Sequence, residues 1–184
     1  MLYKPGELLI APPGMIDPRF RKSVLLITYD GLHGTQALCL NKETTTTVNT
    51  LIKPLGRELD PDQPLFWGGP VATTTLWMLH DKGWECDNTL EVNDDWAVSS
   101  STSMFAELGN TGGPHRARFH LGLASWSPGQ LEMELSGDRP FQPESSWLTA
   151  DAPHPDVLFN VDPADLWNYA CELSGTQAVS RWLS

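Results

Sequence analysis

The most regular pattern of apolar and polar residues in this chain lies between Arg116 and Trp126, where the two kinds of position alternate. Alternation with a period of two places every second side chain on one face, which predicts a half-buried β-strand. Three residues typical of a helix start follow at once. Ser127 suits the N-cap, Pro128 the first helical position, and Gln130 the third position of a capping box. The sequence therefore predicts a strand that leads directly into a helix capped by Ser127.

Shorter apolar runs bounded by Gly, Pro, Asn or Asp predict the remaining strands. Two of them flank the loop that contains His33 and form a predicted hairpin, and a tight turn at Asn93-Asp94 separates another pair. The threonines after the Gly68-Gly69-Pro70 turn are assigned to a connection between strands. The predicted strands are Glu7–Ala11, Ser23–Tyr29, Gly34–Asn41, Pro64–Trp67, Leu76–His80, Thr89–Val92 and Asp95–Ser99.

Apolar residues at helical spacing predict three further helices. One begins at a cap among Thr45–Thr47, and a second covers Ser101–Leu108. The last has Asp162 as its N-cap and ends at Gly175. The apolar tail around Trp182 is expected to dock on the rest of the protein.

The order of these elements indicates the fold class. Strands and helices interleave without the regular spacing of βαβ units, and hairpins are frequent. The hydrophobic content of 40% suits one domain with a substantial core, and no change of composition marks a boundary. The sequence predicts the α+β class, with a single domain over residues 1–184 and a mixed or antiparallel sheet.

The formal net charge of −11 narrows the range of partners. A charge of this sign repels a phosphate backbone at long range, which disfavours nucleic acid. The compact basic group of Arg19, Arg21 and Lys22 is interpreted as a solvated face or a set of local ion pairs. No apolar run approaches the roughly 20 residues of a membrane-spanning helix, and the N-terminal segment lacks the features of an export signal. We therefore predict a cytoplasmic protein that does not bind a membrane.

Residue types that carry catalysis or bind metals are present, but not in a pattern typical of either. The three cysteines and five histidines form no Cys-x-x-Cys or His-x-x-x-His pair. Ser125 lacks the flanking glycines of a nucleophile elbow, and Glu132 and Glu134 point to different faces of their helix. We predict no catalytic residue, no metal site and no cofactor, and assign the cysteines and the eight tryptophans to packing.

The residues that could form a ligand site belong to the turns and to the predicted helix start. Free N–H groups at a helix N-terminus suit a carboxylate or a phosphate, and glycines let a ligand approach the backbone. The favoured alternative is structural: caps satisfy these donors, Arg19 pairs with a nearby acid, and the glycines only form turns. The candidate ligand-binding residues are Arg19, Asn41, Gly68, Gly69, Trp126, Ser127, Gly129 and Gln130.

Six segments occur in an order similar to that of the YqgE/AlgH family. They are Gly6–Ala11, Pro13–Met15, Asp17–Val24, Phe66–Val71, Leu121–Leu135 and Val157–Phe159, which together span nearly the whole chain. The resemblance implies a compact α+β domain with a small closed, barrel-like β-sheet flanked by helices. It also implies a cytosolic bacterial-type protein of undetermined molecular activity. Some members carry a transcriptional-regulator label because of a link to alginate control.

The chain departs from the usual family pattern at two places that bear on a site. It has Asn41-Lys42-Glu43 where relatives have Asn-Arg-Pro, and lysine lacks the planar fork with which arginine binds an anion. Ser125 and Ser127 replace two glycines, which suggests that the backbone is not closely approached there.

Three functional hypotheses follow from the sequence and the resemblance. The leading one is a non-catalytic regulatory or ligand-binding protein, whose partner is a small anionic ligand or another protein. The second is an enzyme acting on a small anionic substrate near Arg19, Asn41 and Gly129. The third is a nucleic-acid-binding regulator, which would need a basic face despite the net charge.

Overall fold

The computed structural model describes residues 4–100, 102–137 and 146–183, and within these ranges it has ten strands and five α-helices. The strands are β1 (Glu7–Ile10), β2 (Val24–Gly31), β3 (Gly34–Cys39), β4 (Glu43–Thr47), β5 (Pro64–Trp67), β6 (Val71–Asp81), β7 (Thr89–Glu91), β8 (Trp96–Ser99), β9 (Ala117–Trp126) and β10 (Leu148–Asp151). The helices are α1 (Val48–Ile52), α2 (Met104–Thr111), α3 (Gln130–Ser136), α4 (Pro155–Leu158) and α5 (Leu166–Leu183).

All ten strands belong to one sheet, in which β9 is the central strand. The main path runs β10-β1-β2-β3-β9-β6-β8-β7, and β5 joins β9 from the side while pairing with β4. One edge of β9 pairs with β6, whereas the other is shared between β5, which is parallel to it, and β3. The sheet curls into a half-barrel, so the predicted α+β class with a mixed sheet is confirmed.

The core lies on both faces of this sheet, which explains the uninterrupted apolar run at the start of β2. A strand buried on both faces needs apolar residues at every position rather than at alternate ones. Leu26 packs on one side with Leu166 and Ala170 of α5, and Leu25 packs on the other with Trp126 and Leu131. Helix α5 therefore covers one face and helix α3 covers part of the opposite face.

Local turn chemistry explains two connections that the sequence predicts. Strands β2 and β3 form the predicted hairpin, with Gly31 opposite Gly34. In the predicted turn between β7 and β8, the side-chain oxygen of Asn93 accepts hydrogen bonds from the N–H groups of Asp95 and Trp96, both at 2.9 Å. An asparagine that bonds its own following backbone in this way stabilises a tight turn.

The prediction that the threonine run connects two strands is wrong, because β6 begins at Val71 and includes it. Threonine is β-branched and favours extended backbone even where it is exposed, so the run needs no apolar alternation to form a strand. The pairing of β6 with β9 shifts between Val71 and Leu76, which accommodates the irregular segment. The α2 boundaries also differ from the prediction: the helix starts at Met104 and ends before Gly112, whose φ is +84°.

The expected start and end of the last helix are wrong as well. Asp162 accepts a hydrogen bond from the N–H of Ala164 at 2.8 Å, but it is not the N-cap of α5, because a turn separates it from the helix, which begins at Leu166. The helix then continues through Gly175 to Leu183. One glycine inside a helix costs only about 1 kcal/mol and does not end it without a left-handed turn.

The apolar end of the tail does not pack on the rest of the protein, since Trp182 is 84% exposed. Gln177 and Arg181 nevertheless bond Asp151 of β10. No helix of the described residues is long and apolar enough to cross a membrane.

Replacing Gly175 with alanine should raise the free energy of unfolding by about 0.5–1 kcal/mol. Alanine restricts the unfolded chain and is the best helix former, and a Cβ at this position meets no other atom within 4 Å. Urea denaturation followed by circular dichroism measures the change. A destabilised variant would mean that the helix does not pass through Gly175.

The start of α3 differs from the predicted cap. The helix begins at Gln130, after Gly129 in the left-handed conformation, and the exposed Ser127 hydroxyl makes no capping hydrogen bond among the described residues. The reciprocal half of the predicted capping box is present, because the Gln130 side-chain oxygen accepts from the Ser127 N–H at 3.1 Å. Pro128 and Gly129 form a turn instead of the first helical residues.

This geometry reverses the expected importance of the two capping residues. Gln130→Ala should lower the free energy of unfolding by about 1 kcal/mol, because the Ser127 N–H loses its acceptor. Ser127→Ala should change it by less than about 0.5 kcal/mol, as for other exposed sites without such a role. Denaturation curves of the two variants show which one is destabilised more. A larger loss of stability in the Ser127 variant would contradict this prediction.

Candidate functional site

A groove with an apolar lining opens where the C-terminal end of β9 meets α3. Its volume of about 550 Å³ is within the roughly 300–1,000 Å³ typical of small-molecule sites. We call it the Trp126 groove. It is lined by Met15, Ile16, Asp17, Pro18, Arg19, Phe20, Pro70, Ala124, Ser125, Trp126, Gln130, Glu134 and Trp147.

One side of the groove is a short 3₁₀ turn, Pro18–Phe20, which begins at Asp17. The Asp17 carboxylate accepts from the N–H of Arg19 at 2.9 Å and from its guanidinium at 2.7 Å. Hydrogen bonding from the Arg19 side chain lowers the pKa of Asp17, so both groups remain charged and compensate each other. Arg19 therefore presents little uncompensated charge to a ligand.

Glu134 holds the opposite side together. One of its carboxylate oxygens accepts from the indole N–H groups of Trp126 and Trp147, both at 3.0 Å, and the other accepts from the Gln130 side chain at 3.0 Å. The two indole rings meet edge to face with their centres 6.1 Å apart. Charge-assisted hydrogen bonds of this kind are stronger than neutral ones, so the carboxylate fixes both rings in place.

The floor and the rim of the groove are apolar for different reasons. Phe20 is buried between Trp67 and Trp147, with ring centres 5.5 and 5.6 Å away, and belongs to the core. Ile16 is 66% exposed, on the loop that carries Met15 past the groove. A buried aromatic floor beneath an exposed aliphatic rim suits a ligand that removes the rim from water.

Asn41, one of the sequence-predicted site residues, lies outside this groove. Its side-chain oxygen accepts from the N–H of Val24 at 2.9 Å, and its side-chain amide donates to the carbonyl of Lys22 at 2.8 Å. These bonds tie the end of β3 to the start of β2.

Gly68 and Gly69 serve a close approach between backbones. A Cβ at Gly68 would fall on the carbonyl oxygen of Gly122, and one at Gly69 would fall on the backbone of Leu123. Gly122 itself has a φ of +73°, so the tight contact uses the glycine that this chain retains in β9.

Ser125 and Ser127 are both exposed, so the two serine side chains that replace glycines extend into solvent. The expectation that the backbone is not closely approached there is wrong at the second position, because a Cβ at Gly34 would fall on the carbonyl oxygen of Trp126 and 3.2 Å from the backbone of Ser127.

Gly129 lines a different pocket of about 400 Å³, together with Asp30, Leu32 and Pro128. The structure thus brings Arg19, Trp126 and Gln130 together in the Trp126 groove and leaves the other candidates apart. Whether any of them binds a ligand stays a prediction.

Sequence reasoning missed Glu134 and Trp147 as site residues. The four-residue spacing between Gln130 and Glu134 is the signal that could have found the first, because residues at that spacing meet on one side of a helix. Trp147 has no such signal, since its contact with Trp126 joins positions far apart in the chain.

A curled mixed sheet with helices on both faces and a ligand-sized groove defines a small α+β protein with a candidate binding site. The family model of AlgH-like proteins matches residues 8–179. The chain belongs to this AlgH-like family, which confirms the resemblance found in the sequence.

Relatives from several bacteria support this assignment over nearly full length. A UPF0301 protein of Ruegeria pomeroyi is 34% identical over 179 residues, covering 95% of this chain and 93% of that protein. A UPF0301 protein of Vibrio atlanticus is 33% identical over 182 residues, with the same two shares covered.

Two solved structures have the same fold. The AlgH protein of Pseudomonas aeruginosa superposes with a TM-score of 0.74 and 28% identity, covering 95% of this chain and 90% of that one. The protein DIP2367 of Corynebacterium diphtheriae gives a TM-score of 0.71 at 23% identity, covering 91% and 85%. The second similarity concerns the fold alone.

Proposed function

We propose that this protein is a non-catalytic, cytoplasmic ligand-binding protein, and that the Trp126 groove takes a compact apolar or aromatic small molecule. One observation carries the proposal: the ionisable groups of the groove are bonded to each other or to its walls, while its rim is apolar. Pockets for small molecules are mostly apolar with a few fixed polar groups, which is the composition found here.

The polar groups of the groove favour binding over catalysis. Asp17 and Arg19 form an ion pair, and Glu134 already accepts three hydrogen bonds from groove residues. A general acid or base must have an atom free to exchange a proton with the substrate. The groups of this groove instead hold its walls in position, as preorganised binding sites require.

The same contacts argue against an anionic substrate in this groove. The Arg19 charge is balanced by Asp17, and the Glu134 carboxylate adds a negative charge to the lining. Asn41 and Gly129, the other two residues of the hypothetical anion site, do not line it. We therefore place the enzyme hypothesis second, and the nucleic-acid hypothesis third because of the net charge of −11.

Binding can be tested by titrating the ¹⁵N-labelled protein with indole and with naphthalene, while recording tryptophan side-chain resonances. The indole N–H signals of Trp126 and Trp147 should shift in a saturable manner, because a ligand in the groove changes the surroundings of the Glu134 hydrogen bonds. The signal of Trp182, which is 84% exposed on α5, should not shift with them.

A variant that fills the groove provides the decisive comparison. Ser125 is exposed and lines the groove, so Ser125→Phe should abolish the saturable shifts without disturbing the core. Thr74→Phe is the matched control, since Thr74 is exposed on β6 outside the groove. Absence of saturable shifts in the unmodified protein, or equal shifts in the Ser125 variant, would overturn the proposal.

A further inference from the structure

Five of the eleven lysine and arginine side chains in the described part of the chain form an ion pair with a carboxylate. Arg19, Lys53, Lys82, Arg116 and Arg181 all form ion pairs. The other six form no ion pair with a carboxylate among the described residues, and four of them, all except Lys4 and Arg57, form one group. We call this group the basic surface, and it consists of Arg21, Lys22, Lys42 and Arg118.

The members of the basic surface surround one segment, the end of β3 and the residues after it. The Lys42 ammonium donates to the carbonyl of Arg21 at 2.7 Å, and the Asn41 amide donates to the carbonyl of Lys22 at 2.8 Å. The Arg118 guanidinium donates to the carbonyl of Leu40 at 3.1 Å. Residues 40–42 therefore bring together the backbone of the neighbouring residues Arg21 and Lys22, the Lys42 ammonium and the Arg118 guanidinium.

Lys22 is held in an unusual backbone conformation at this place. Its φ is +52°, a left-handed value that residues other than glycine rarely adopt and that carries strain. Its ammonium lies 5.5 Å from the centre of the Trp167 ring, over an aromatic face that attracts a cation without neutralising it. The Asn41 hydrogen bond to the Lys22 carbonyl maintains this conformation.

Arg118 is anchored by neutral groups in the same way. Its guanidinium lies between the rings of Phe66 and Phe159, 5.1 and 4.7 Å from their centres, and also bonds the carbonyl of Phe159 at 3.4 Å. Burial lowers the pKa of the Arg118 guanidinium to about 10, and the charges of Glu43 and Asp162 offset this in part without forming an ion pair with it. Backbone carbonyls and aromatic faces position a cation while leaving its formal charge available to a counter-ion.

We propose that the basic surface is a second ligand site, which binds the phosphate group of a small molecule. Lysine ammonium groups act on phosphate as point charges and arginine can add paired N–H donors, so the combination is typical of phosphate recognition. Glu43 and Asp162 limit the site to a compact anion, because a long polyanion would meet their charge and that of the acidic protein. None of the four cations lines the Trp126 groove, so the two sites are separate.

The test uses sodium pyrophosphate as the probe, added to the ¹⁵N-labelled full chain, with sodium chloride at the same ionic strength as reference. Pyrophosphate should give saturable shifts at the backbone amides of residues 21–23 and 40–42, whereas chloride should not. The double variant Lys22→Gln/Lys42→Gln should weaken binding at least about tenfold, because two charge-assisted contacts are lost.

Two further variants keep the outcome decisive. Arg21→Gln changes an exposed side chain with no hydrogen bond among the described residues, and should weaken binding at least about threefold without altering the melting temperature. Lys53→Gln/Lys82→Gln removes the same charge from paired lysines elsewhere and should leave binding unchanged. Shifts of the same size in sodium chloride as in pyrophosphate would show general charge screening and overturn the proposal. So would an equal loss of pyrophosphate affinity in both double variants.

Discussion

Replacing Trp126 with alanine is expected to lower the free energy of unfolding by about 4 kcal/mol. The indole is only 5% exposed and packs in the same core cluster as Leu131 and Trp147. Its removal leaves a cavity, and it also deprives the Glu134 carboxylate of one of its two indole donors. Urea denaturation monitored by far-ultraviolet circular dichroism measures the loss without relying on tryptophan emission.

Trp182→Ala is the matched control for this substitution, since Trp182 is 84% exposed. It should change the free energy of unfolding by less than about 0.5 kcal/mol, as surface substitutions usually do. Similar losses in the two variants would mean that the β9 to α3 junction does not have the packing described above.

Acidification below pH 6.5 is expected to destabilise the protein through His120. This side chain is fully buried in β9, its Nδ1 lies 3.0 Å from the carbonyl of Cys39, and its Nε2 has no partner among the described residues. Burial, with a smaller contribution from the nearby Arg118 charge, lowers its pKa to about 3. A neutral imidazole that donates from Nδ1 fits this environment, whereas an imidazolium does not.

The direction of the pH effect follows from proton binding in the two states. The unfolded chain binds a proton at His120 near pH 6.5, but the folded protein does not until about pH 3. The stabilising contribution is therefore complete above pH 6.5 and is lost as the pH falls through this window, at up to about 1.4 kcal/mol per pH unit. Burial also lowers the pKa of His80, which adds a further loss of stability as the pH falls.

Urea denaturation of the wild type and of His120→Gln at pH 7, 6 and 5 tests this account. Glutamine keeps an N–H donor for the Cys39 carbonyl but does not titrate. The stability of the variant should therefore decrease less than that of the wild type as the pH is lowered. The two proteins are compared by the slope of the free energy of unfolding against pH, since the variant has a different stability at pH 7. Identical slopes would contradict the assignment to His120.

The parts of the fold that local patterns determine could be predicted from the sequence. The alternation in β9 and the uninterrupted apolar run of β2 each indicate a strand. The expectation that β9 is half-buried is wrong, because Phe119 and His120 point to opposite faces of the sheet and both are buried. The β2 to β3 hairpin follows from its turn residues. Extension of β6 through Val71 and of α5 through Gly175 could not be predicted, since exposed threonines and a single tolerated glycine carry no apolar period.

The candidate site was less predictable than the fold because tertiary contacts assemble it. Gln130 and Trp126 were found through their place at a helix start, yet the residue that holds the groove together is Glu134. Its second indole partner, Trp147, comes from beyond the described end of α3. Asn41 was selected as a ligand contact, whereas its side chain bonds the backbone of Lys22 and Val24 and positions the basic surface.

The buried apolar contacts of the long helix α5 cover only part of its length, and its last turns are joined to β10 by exposed polar contacts of Gln177 and Arg181 with Asp151. Leu166 and Ala170 are buried, whereas Val179, Trp182 and Leu183 face solvent. Amide hydrogens in the first turns should exchange with deuterium only when the whole protein opens, while those near the C-terminus should exchange by fraying. Trypsin is then expected to cleave after Arg181 and release Trp182 while the sheet remains intact.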